Sequence, residues 1–315
     1  MSLEHLASAE DVFAAVRADG IPGGGSAFGR ATAFALRHIA LDQRYTTREA
    51  LFAELHRMAE ALRAEMPTMA PIHNARALIV DPVEAGTCEL EAARAEVVRR
   101  ADLYTRLSSE AVEALGRIGA NLVQDGQAIM MHSYSQSVMT VLLTARRLGK
   151  AFRVICTESR PGTEALGALA ELTEAGIPVT YGVDAAMNGL IREADWCLTG
   201  ADSLTVDGAA ANKVGSSLLA LVARHYHVPF YVAAETLKTR LSTGQGVPVD
   251  LPLRPGEEVL APAALRHPER VTVFNPMFDL IDPAYIRAVI TERGLYPPAL
   301  ISQAWQDTAA LFEPV

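Results

Sequence analysis

The sequence has few cysteines, no long apolar run and no excess of basic residues. Its three cysteines, Cys88, Cys156 and Cys197, lie far apart and supply neither a disulfide framework nor a Cys-x-x-Cys metal clamp. No stretch reaches the ~18 consecutive apolar residues of a membrane span, and the first residues lack the basic and apolar regions of a secretory signal. The 37 acidic residues outnumber the 28 basic ones, so the global positive field used in nucleic-acid binding is absent. We expect a cytoplasmic protein with reduced thiols that binds neither nucleic acid nor membranes.

The chain is long enough for two folded domains. It has 315 residues, of which 50% are hydrophobic and 21% charged, far from the composition of disordered proteins. Ser8 is a candidate helix cap, and apolar residues recur at helical spacing over 27–41 and 48–65. One longer periodic stretch covers 84–123 and predicts a helix that could join two domains. We therefore predict an all-helical domain over residues 1–123.

From residue 124 onward, short apolar runs rich in β-branched residues alternate with helical segments. Runs that are apolar throughout predict strands buried on both faces, and the helices between them predict parallel pairing. The segment 242–267 contains several prolines and no periodicity, which predicts a surface excursion or a lid. We predict a Rossmann-like, doubly wound α/β domain over residues 124–315, with its ligand at the carboxyl ends of the strands. The predicted strands are 128–131, 152–156, 179–183, 196–199, 230–234 and 271–274.

Polar side chains follow these predicted strands. An arginine binds phosphate as a fork, lysines bind it as point charges, and hydroxyls or helix amides complete the oxygen shell. We therefore predict a rim that binds a phosphorylated, hydroxyl-rich small molecule, with Asp202 or Asp184 as its acid or base. The serines and Asp184 have an alternative interpretation as helix caps. The rim residues are Ser133, Ser135, Arg160, Asp184, Asp202, Lys238 and the pair Asn212 and Lys213, which we expect at the start of a helix.

Three successive glycines near the amino terminus form a second candidate for anion binding. Gly23, Gly24 and Gly25 precede a helix expected from about Ala27. Successive glycines expose backbone amides to an anion at a helix start, although a flexible hinge has the same signature. The histidines form no cluster at ligand spacing, so we expect no structural metal, and we expect no cofactor.

Several short strings occur in a fixed order along the chain. They are Thr157-Glu158-Ser159-Arg160-Pro161, Gly200-Ala201-Asp202-Ser203, Asn212-Lys213-Val214-Gly215, Ala234-Glu235-Thr236 and Ile290-Thr291-Glu292-Arg293-Gly294. With the glycines at 23–25 they resemble the initiation factor 2B alpha/beta/delta-like family, which includes ribose-1,5-bisphosphate isomerase, methylthioribose-1-phosphate isomerase and regulatory subunits of a translation initiation factor exchange complex. The resemblance covers nearly the whole chain. It implies a helical domain on a Rossmann-like domain, assembled as a homodimer or a larger homo-oligomer.

The resemblance also assigns catalytic roles. In the isomerases of this family, a cysteine after the first strand and an aspartate in the Gly-Ala-Asp segment carry catalysis. The aspartate position is Asp202, and the cysteine position is Ser133. A serine hydroxyl is far less acidic than a thiol of pKa ~8.5, so Ser133 needs a partnering base to exchange protons near neutrality. His132 and Tyr134 are the nearest candidates in sequence.

A second departure from the family pattern concerns phosphate binding. Pro22 stands where the sugar-phosphate isomerases tend to have an arginine. Phosphate binding then rests on Arg160, Lys213, Lys238 and backbone amides.

Three functions are open at this point. The first is an aldose–ketose isomerase acting on a sugar 1-phosphate, most like ribose-1,5-bisphosphate isomerase, in which Asp202 protonates the ring oxygen. The second is a non-catalytic regulatory protein that binds a sugar phosphate or nucleotide, which the absence of the thiol favours. The third is a related isomerase whose substrate lacks the second phosphate, which would account for Pro22.

Overall fold

The amino-terminal part of the protein is helical. The computed structural model describes residues 6–18, 21 and 23–313, so Pro22 lies outside the described residues. Ser8 caps the first helix as predicted, since its Oγ accepts a hydrogen bond of 3.1 Å from the Asp11 amide. The helix predicted over 84–123 begins later than expected, because the chain leaves helical geometry at Gly86. The helices are α1 (Ala9–Arg17), α2 (Gly24–Leu41), α3 (Arg48–Glu65), α4 (Ala70–Ile79), α5 (Asp81–Ala85) and α6 (Leu90–Ala120).

The remainder of the chain alternates strands and helices. Its strands are β1 (Ala128–His132), β2 (Arg153–Thr157), β3 (Val179–Gly182), β4 (Trp196–Thr199), β5 (Ser203–Thr205), β6 (Ala210–Lys213), β7 (Phe230–Ala233), β8 (Thr239–Arg240), β9 (Phe278–Ile281), β10 (Ala288–Thr291) and β11 (Gly294–Tyr296). Its helices are α7 (Gln136–Arg147), α8 (Ala165–Glu174), α9 (Met187–Leu190), α10 (Ser216–His225) and α11 (Ile301–Ala309).

The larger sheet has the order β11-β10-β7-β4-β1-β2-β3. Its strands pair in parallel except β11, which runs antiparallel to β10 at the edge. Side chains of β1 alternate between the two faces: Ile129 and Met131 join one apolar core, while Ala128 and Met130 join the other. The predicted fold class, a helical amino-terminal domain with a doubly wound Rossmann-like sheet, is therefore confirmed.

Two details of the predicted sheet are wrong. Residues 271–274 do not form a strand, and the Phe274 side chain is 75% exposed. Their β-branched composition favours a strand, but no neighbouring strand offers hydrogen bonds there, and β10 occupies the place in the sheet instead. A smaller sheet of order β8-β5-β6-β9 was not foreseen. Because β6 belongs to it, Asn212 and Lys213 lie on a strand and not at a helix start.

Three apolar cores hold these layers together. Two cover the faces of the larger sheet, and the third lies among the amino-terminal helices. Trp305 and Phe312, from the end of the chain, are buried in that helical core. The segment 242–267 lies on the surface as predicted, with mostly exposed residues and short 3-10 turns. No helix in the described ranges is both long and apolar enough to cross a membrane.

Candidate functional site

A cavity of about 400 Å³ lies beside the carboxyl ends of β1 and β4. These strands are neighbours, but the chain leaves β1 toward β2 and β3 on one side and returns through β4 on the other. Such a switch in strand order opens a crevice in doubly wound sheets and is where their ligands bind. Six of the sequence-predicted site residues line the cavity, namely Gly23, Gly24, Ser133, Asp202, Asn212 and Lys213.

Asp202 reaches the cavity from the loop after β4. Its amide donates to Ala211 O at 2.8 Å, and its carbonyl accepts from the Ala70 amide at 3.1 Å, so its backbone is held by both β6 and α4. Burial raises the pKa of the Asp202 carboxyl above its ordinary value, although Lys238 and Lys213 act in the opposite direction. The carboxyl can therefore hold a proton at a higher pH than a solvent-exposed aspartate.

The first turn of α2 lies close to this carboxyl. Gly23 and Gly24 have positive φ angles of 111° and 66°, a conformation that glycine adopts with little strain. A Cβ atom on Gly25 would lie 3.4 Å from Asp202 Oδ1, and the Gly25 amide lowers the pKa of the Asp202 carboxyl. The helix begins at Gly24, earlier than predicted, and no side chain caps it. Its first amides are thus available to an anion in the cavity.

Ser133 follows β1 directly and has φ of 65°, a left-handed conformation. Its amide donates to Ser159 Oγ at 2.7 Å, which fixes the turn at the edge of the cavity. The adjacent His132 ring is occupied elsewhere, with Nε2 2.8 Å from Val214 O and Nδ1 2.7 Å from Thr157 Oγ1. Since a carbonyl only accepts, Nε2 carries the proton and Nδ1 accepts from the threonine hydroxyl.

Neither residue proposed as a base for Ser133 is therefore in that role. Burial lowers the pKa of His132, in keeping with a neutral ring whose two nitrogens are already bonded. The Tyr134 hydroxyl donates to Glu171 Oε1 at 2.8 Å, and burial raises the pKa of that phenol. Sequence adjacency was misleading because His132 is bonded to Val214 and Thr157, and Tyr134, although it also lines the cavity, is bonded to Glu171.

Lys213 is a cationic side chain in the lining of the cavity. Its ammonium donates to Glu164 Oε1 and lies 3.1 Å from Met277 Sδ and 5.8 Å from the centre of the Phe278 ring. The other carboxylate oxygen of Glu164 is buried without a hydrogen-bond partner. The neighbouring Asn212 amide donates to Ser216 Oγ at 2.8 Å. An incoming anion would therefore compete with Glu164 for Lys213.

Four of the predicted rim residues do not line the cavity. Arg160 is exposed, and only its backbone amide is engaged, at 2.8 Å from Asp184 Oδ2. Asp184 also accepts from the Ser159 amide, so it stabilises the loop after β2, and it is not among the residues that line the cavity. Ser135 packs against the backbone at Gly200, where a Cβ atom would lie 2.3 Å from its Oγ.

Lys238 is the fourth of these residues. Its side chain is 4% exposed, and Nζ lies 3.2 Å from Glu235 Oε2. We expected it to bind phosphate as a point charge, but it does not line the cavity and is held in a buried ion pair.

Sequence reasoning missed one wall of the cavity. Glu164, Gly167 and Glu171 line it from α8 and the residue before that helix. Their spacing of three and four residues places them on one helical face, which was visible in the sequence, but nothing there indicated what the face contacts. Apolar side chains complete the cavity, namely Ile21, Phe28, Met69, Met277 and Phe278. Within the described residues, no three His, Cys, Asp or Glu side chains come together as a metal site.

Comparisons with known proteins agree with this architecture. The model of the Initiation factor 2 subunit family matches residues 23–298. The chain is 34% identical over 279 residues to ribose 1,5-bisphosphate isomerase of Thermococcus kodakarensis, covering 87% of each chain. It is 36% identical over 232 residues to a putative translation initiation factor eIF-2B subunit 2-like protein of Pyrococcus horikoshii, covering 74% of this chain and 77% of that one.

Solved structures show the same likeness. The crystal structure of the Pyrococcus horikoshii translation initiation factor eIF-2B superposes with a TM-score of 0.78 at 32% identity, covering 92% of this chain and 97% of that one. The 5-methylthioribose 1-phosphate isomerase of the same organism gives 0.74 at 25% identity, covering 96% and 88%. With the family model matched over most of its length, the chain belongs to the Initiation factor 2 subunit family.

Proposed function

We propose that this protein is an aldose–ketose isomerase that acts on a sugar 1-phosphate, with ribose 1,5-bisphosphate as the first candidate substrate. The observation that carries the proposal is Asp202, a carboxyl of raised pKa that lines the same cavity as the Lys213 ammonium. Relatives covering most of this chain are named ribose 1,5-bisphosphate isomerase, which supports the same reaction class.

The chemistry needs a proton donor. Phosphate on the C1 oxygen prevents a sugar ring from opening spontaneously, so an acid must protonate the ring oxygen as its bond to C1 breaks. A hydride then shifts from C2 to the electron-deficient C1, and the C2 hydroxyl gives its proton to the Asp202 carboxylate left by the first step, which leaves a ketone at C2 and the phosphate ester on C1. Asp202 is the group we assign to the first step, because its raised pKa keeps it protonated over a wider pH range.

Substrate binding is assigned to the groups around Asp202. The phosphate would displace Glu164 from the Lys213 ammonium and accept hydrogen bonds from the first amides of α2. Ser133 offers a hydroxyl at the opposite side of the strand switch point, and Asn212 offers an amide. Arg160, which is exposed beside the cavity-lining helix α8, is assigned no contact in this arrangement.

One observation favours a second candidate function, a non-catalytic protein that binds a sugar phosphate or nucleotide. Ser133 has no base within hydrogen-bonding contact among its sequence neighbours His132 and Tyr134. A hydroxyl without a base is a weak participant in proton transfer near neutral pH. Similarity to an eIF-2B subunit 2-like protein fits this alternative as well.

A coupled isomerase assay separates these candidates. The assay tests ribose 1,5-bisphosphate, methylthioribose 1-phosphate and other pentose 1-phosphates, with ligand-induced changes in melting temperature measured in parallel. Turnover with any of them supports the isomerase, and the preferred compound shows whether the substrate has a second phosphate. A thermal shift without turnover selects the regulatory protein. If none of the compounds gives a thermal shift or turnover, both proposals are contradicted.

We also propose that the protein forms a homodimer or larger homo-oligomer in the cytoplasm. Its three cysteines are unpaired, which fits a reducing compartment. Three leucines, Leu218 and Leu221 on α10 and Leu280 on β9, are 44–50% exposed in the single chain, and these two elements pack together. Such an apolar surface is expected to be covered by a second copy of the chain. Sedimentation velocity over a hundredfold concentration range tests self-association, and a monomer throughout would contradict it.

A further inference from the structure

A buried ion pair lies behind the candidate site and is not used by the proposed reaction. Glu235, 1% exposed, follows β7, and its Oε2 lies 3.2 Å from Lys238 Nζ. The same carboxylate accepts a hydrogen bond of 3.0 Å from Ser137 Oγ and another from the Ser26 hydroxyl. Burial opposes ionisation of Glu235, but Lys238 and the two hydroxyls outweigh it and hold the pKa of that carboxyl below its ordinary value. Glu235 is thus a buried, ionised and fully bonded group.

This pair reaches Asp202 by two routes. Ser26, bonded to Glu235, is the residue after Gly25, which packs against Asp202, since a Cβ atom on Gly25 would lie 3.4 Å from Asp202 Oδ1. Glu235 therefore fixes the turn of α2 that contacts the Asp202 carboxyl. The second route is charge. β8, which begins one residue after Lys238, pairs with β5, which begins one residue after Asp202, and the Lys238 ammonium lowers the pKa of the Asp202 carboxyl.

We propose that Glu235 and Lys238 form a positioning pair for Asp202, in which Glu235 holds both the first turn of α2 and the Lys238 ammonium in place around the Asp202 carboxyl. The inference rests on the proposed function of Asp202 as the acid. Neither residue of the pair lines the cavity, so neither is expected to touch the substrate. This positioning role accounts for the presence of the pair, because a buried ion pair by itself contributes little to stability.

The charges around Asp202 determine the direction of the expected effects. Lys238 and Lys213 lower the pKa of Asp202, as does the Gly25 amide, whereas Glu164 raises it together with burial. Removing Lys238 therefore raises the pKa of Asp202. Removing only the negative charge of Glu235 lowers the pKa of Asp202, because the Lys238 ammonium then acts on Asp202 without a compensating anion.

The test uses three variants of the full-length protein. The double variant E235Q/K238M removes both charges and leaves no buried charge unpaired, so it is expected to fold, whereas Lys238→Met alone leaves the Glu235 carboxylate buried without its cation. E235Q removes the negative charge alone and keeps the side-chain shape, but it leaves the Lys238 ammonium buried without its anion, so its melting temperature is measured first and the double variant decides the proposal if E235Q does not fold. Lys150→Met is the control, since Lys150 is a lysine whose ammonium donates to Ala120 O at 2.7 Å, away from the cavity.

Two readouts are measured for each variant. The first is an apparent pKa from the pH–rate profile, taken from the part of the profile that is lost when Asp202→Asn is introduced. The second needs no turnover: it is the difference in melting temperature between each protein and the same protein with Asp202→Asn added, followed from pH 4 to pH 9. This difference reports the ionisation of Asp202 in the folded state.

The pair is supported if both readouts move upward by about 1 pH unit in E235Q/K238M and downward in E235Q, with Lys150→Met unchanged. A purely structural role would lower melting temperatures without moving the midpoints in opposite directions. Unchanged midpoints in both pair variants, or equal shifts in Lys150→Met, overturn the proposal. Because the thermal readout is independent of turnover, a protein inactive on every sugar phosphate contradicts the isomerase function while this readout still decides the pair.

Discussion

At the scale of single residues, Asp202 combines a functional advantage with a cost in stability. Its backbone is held by β6 and α4, its carboxyl lies against the first turn of α2, and burial raises the pKa of that carboxyl. The raised pKa favours proton donation, but the charged form is disfavoured in the folded state. Active sites commonly hold such groups, and the surrounding structure must offset the cost.

We expect Asp202→Asn to lower turnover by ~10²-fold or more while leaving ligand affinity largely intact, the effect of removing a positioned acid. The same variant should become more stable than the parent as pH rises. A raised folded pKa means that the stabilising contribution is present below the ordinary Asp pKa of about 3.9 and is lost as pH rises through the folded value. Asparagine does not ionise and avoids that loss. Coupled kinetics and thermal unfolding from pH 4 to pH 9 measure both effects, and unchanged turnover would exclude Asp202 as the acid.

Ser133→Cys should raise turnover, because a thiol ionises much closer to neutral pH than a hydroxyl does. The exchange replaces the side-chain oxygen with sulfur. The left-handed backbone conformation at position 133 is as accessible to cysteine as to serine. Ser133→Ala is the matched control, since it removes the hydroxyl without adding an ionisable group. Initial rates of the three proteins on one sugar 1-phosphate decide the matter. If the cysteine variant is no faster than the alanine variant, the residue at this position does not exchange protons with the sugar.

At the scale of secondary-structure elements, α8 and β6 hold opposite charges on two sides of the cavity. Glu164 precedes α8 and bonds to Lys213 on β6, while Glu164 Oε2 has no hydrogen-bond partner. This contact occupies the cation that a phosphate would use. Glu164 and a bound phosphate would therefore compete for the Lys213 ammonium.

Glu164→Gln should raise the affinity for inorganic phosphate by about tenfold, the effect of weakening one charge-assisted hydrogen bond. Glu174→Gln changes the net charge equally, on the exposed last turn of α8, and serves as the control. Isothermal titration calorimetry at constant ionic strength gives both affinities. An equal gain in the two variants would assign the effect to net charge and not to the contact with Lys213.

The junction between α6 and α7 depends on close approach of the two helices. A Cβ atom on Gly116 would lie 2.4 Å from Thr140 Cγ2 and 3.2 Å from the Thr140 carbonyl oxygen. Gly116→Ala should therefore cost about 1–3 kcal/mol of unfolding free energy through overpacking. At Gly189, where no atom lies within 4 Å of an added Cβ, alanine should be tolerated. Urea unfolding of both variants measures the difference, and equal stability would mean that the helices can move apart freely.

At the scale of the whole molecule, the cavity joins the two parts of the chain. Its lining comes from α2 and the residues before α2 and α4 in the helical part, and from β6, β9, α8 and the loops after β1 and β4 in the sheet part. A ligand bound there contacts both parts and binds only the native arrangement. Ligand binding should therefore stabilise the entire fold.

A sugar phosphate at a hundred times its Kd should add about 2.7 kcal/mol to the unfolding free energy. Lys213→Ala should abolish most of the ligand-induced shift in melting temperature, because it removes the ammonium that lines the cavity. Arg160→Ala should change it little, since Arg160 is exposed outside the cavity. Differential scanning fluorimetry with and without the ligand compares the three proteins. A shift lost in Arg160→Ala but retained in Lys213→Ala would place phosphate binding at the loop after β2.

Local sequence was sufficient for the fold class and for the position of Asp202. Apolar strands and amphipathic helices are encoded by residues close together in the chain, so β1, β2, β4 and β7 were predicted within one or two residues of their observed bounds. The Gly200-Ala201 segment before Asp202 marked the strand end that faces the cavity. The strand predicted over 271–274 was wrong, because β propensity cannot show whether a partner strand is present.

Only the tertiary structure decided which of the polar residues share the cavity. Lys238 and Arg160 were expected at a common rim, yet one is buried against Glu235 and the other is exposed. Glu164 and Glu171 entered the cavity wall because α8 packs there. The direction of a side chain after a strand depends on the loop backbone and on partners distant in the chain. Sequence therefore determined the layers and the strand ends, while long-range packing determined the charges that surround Asp202.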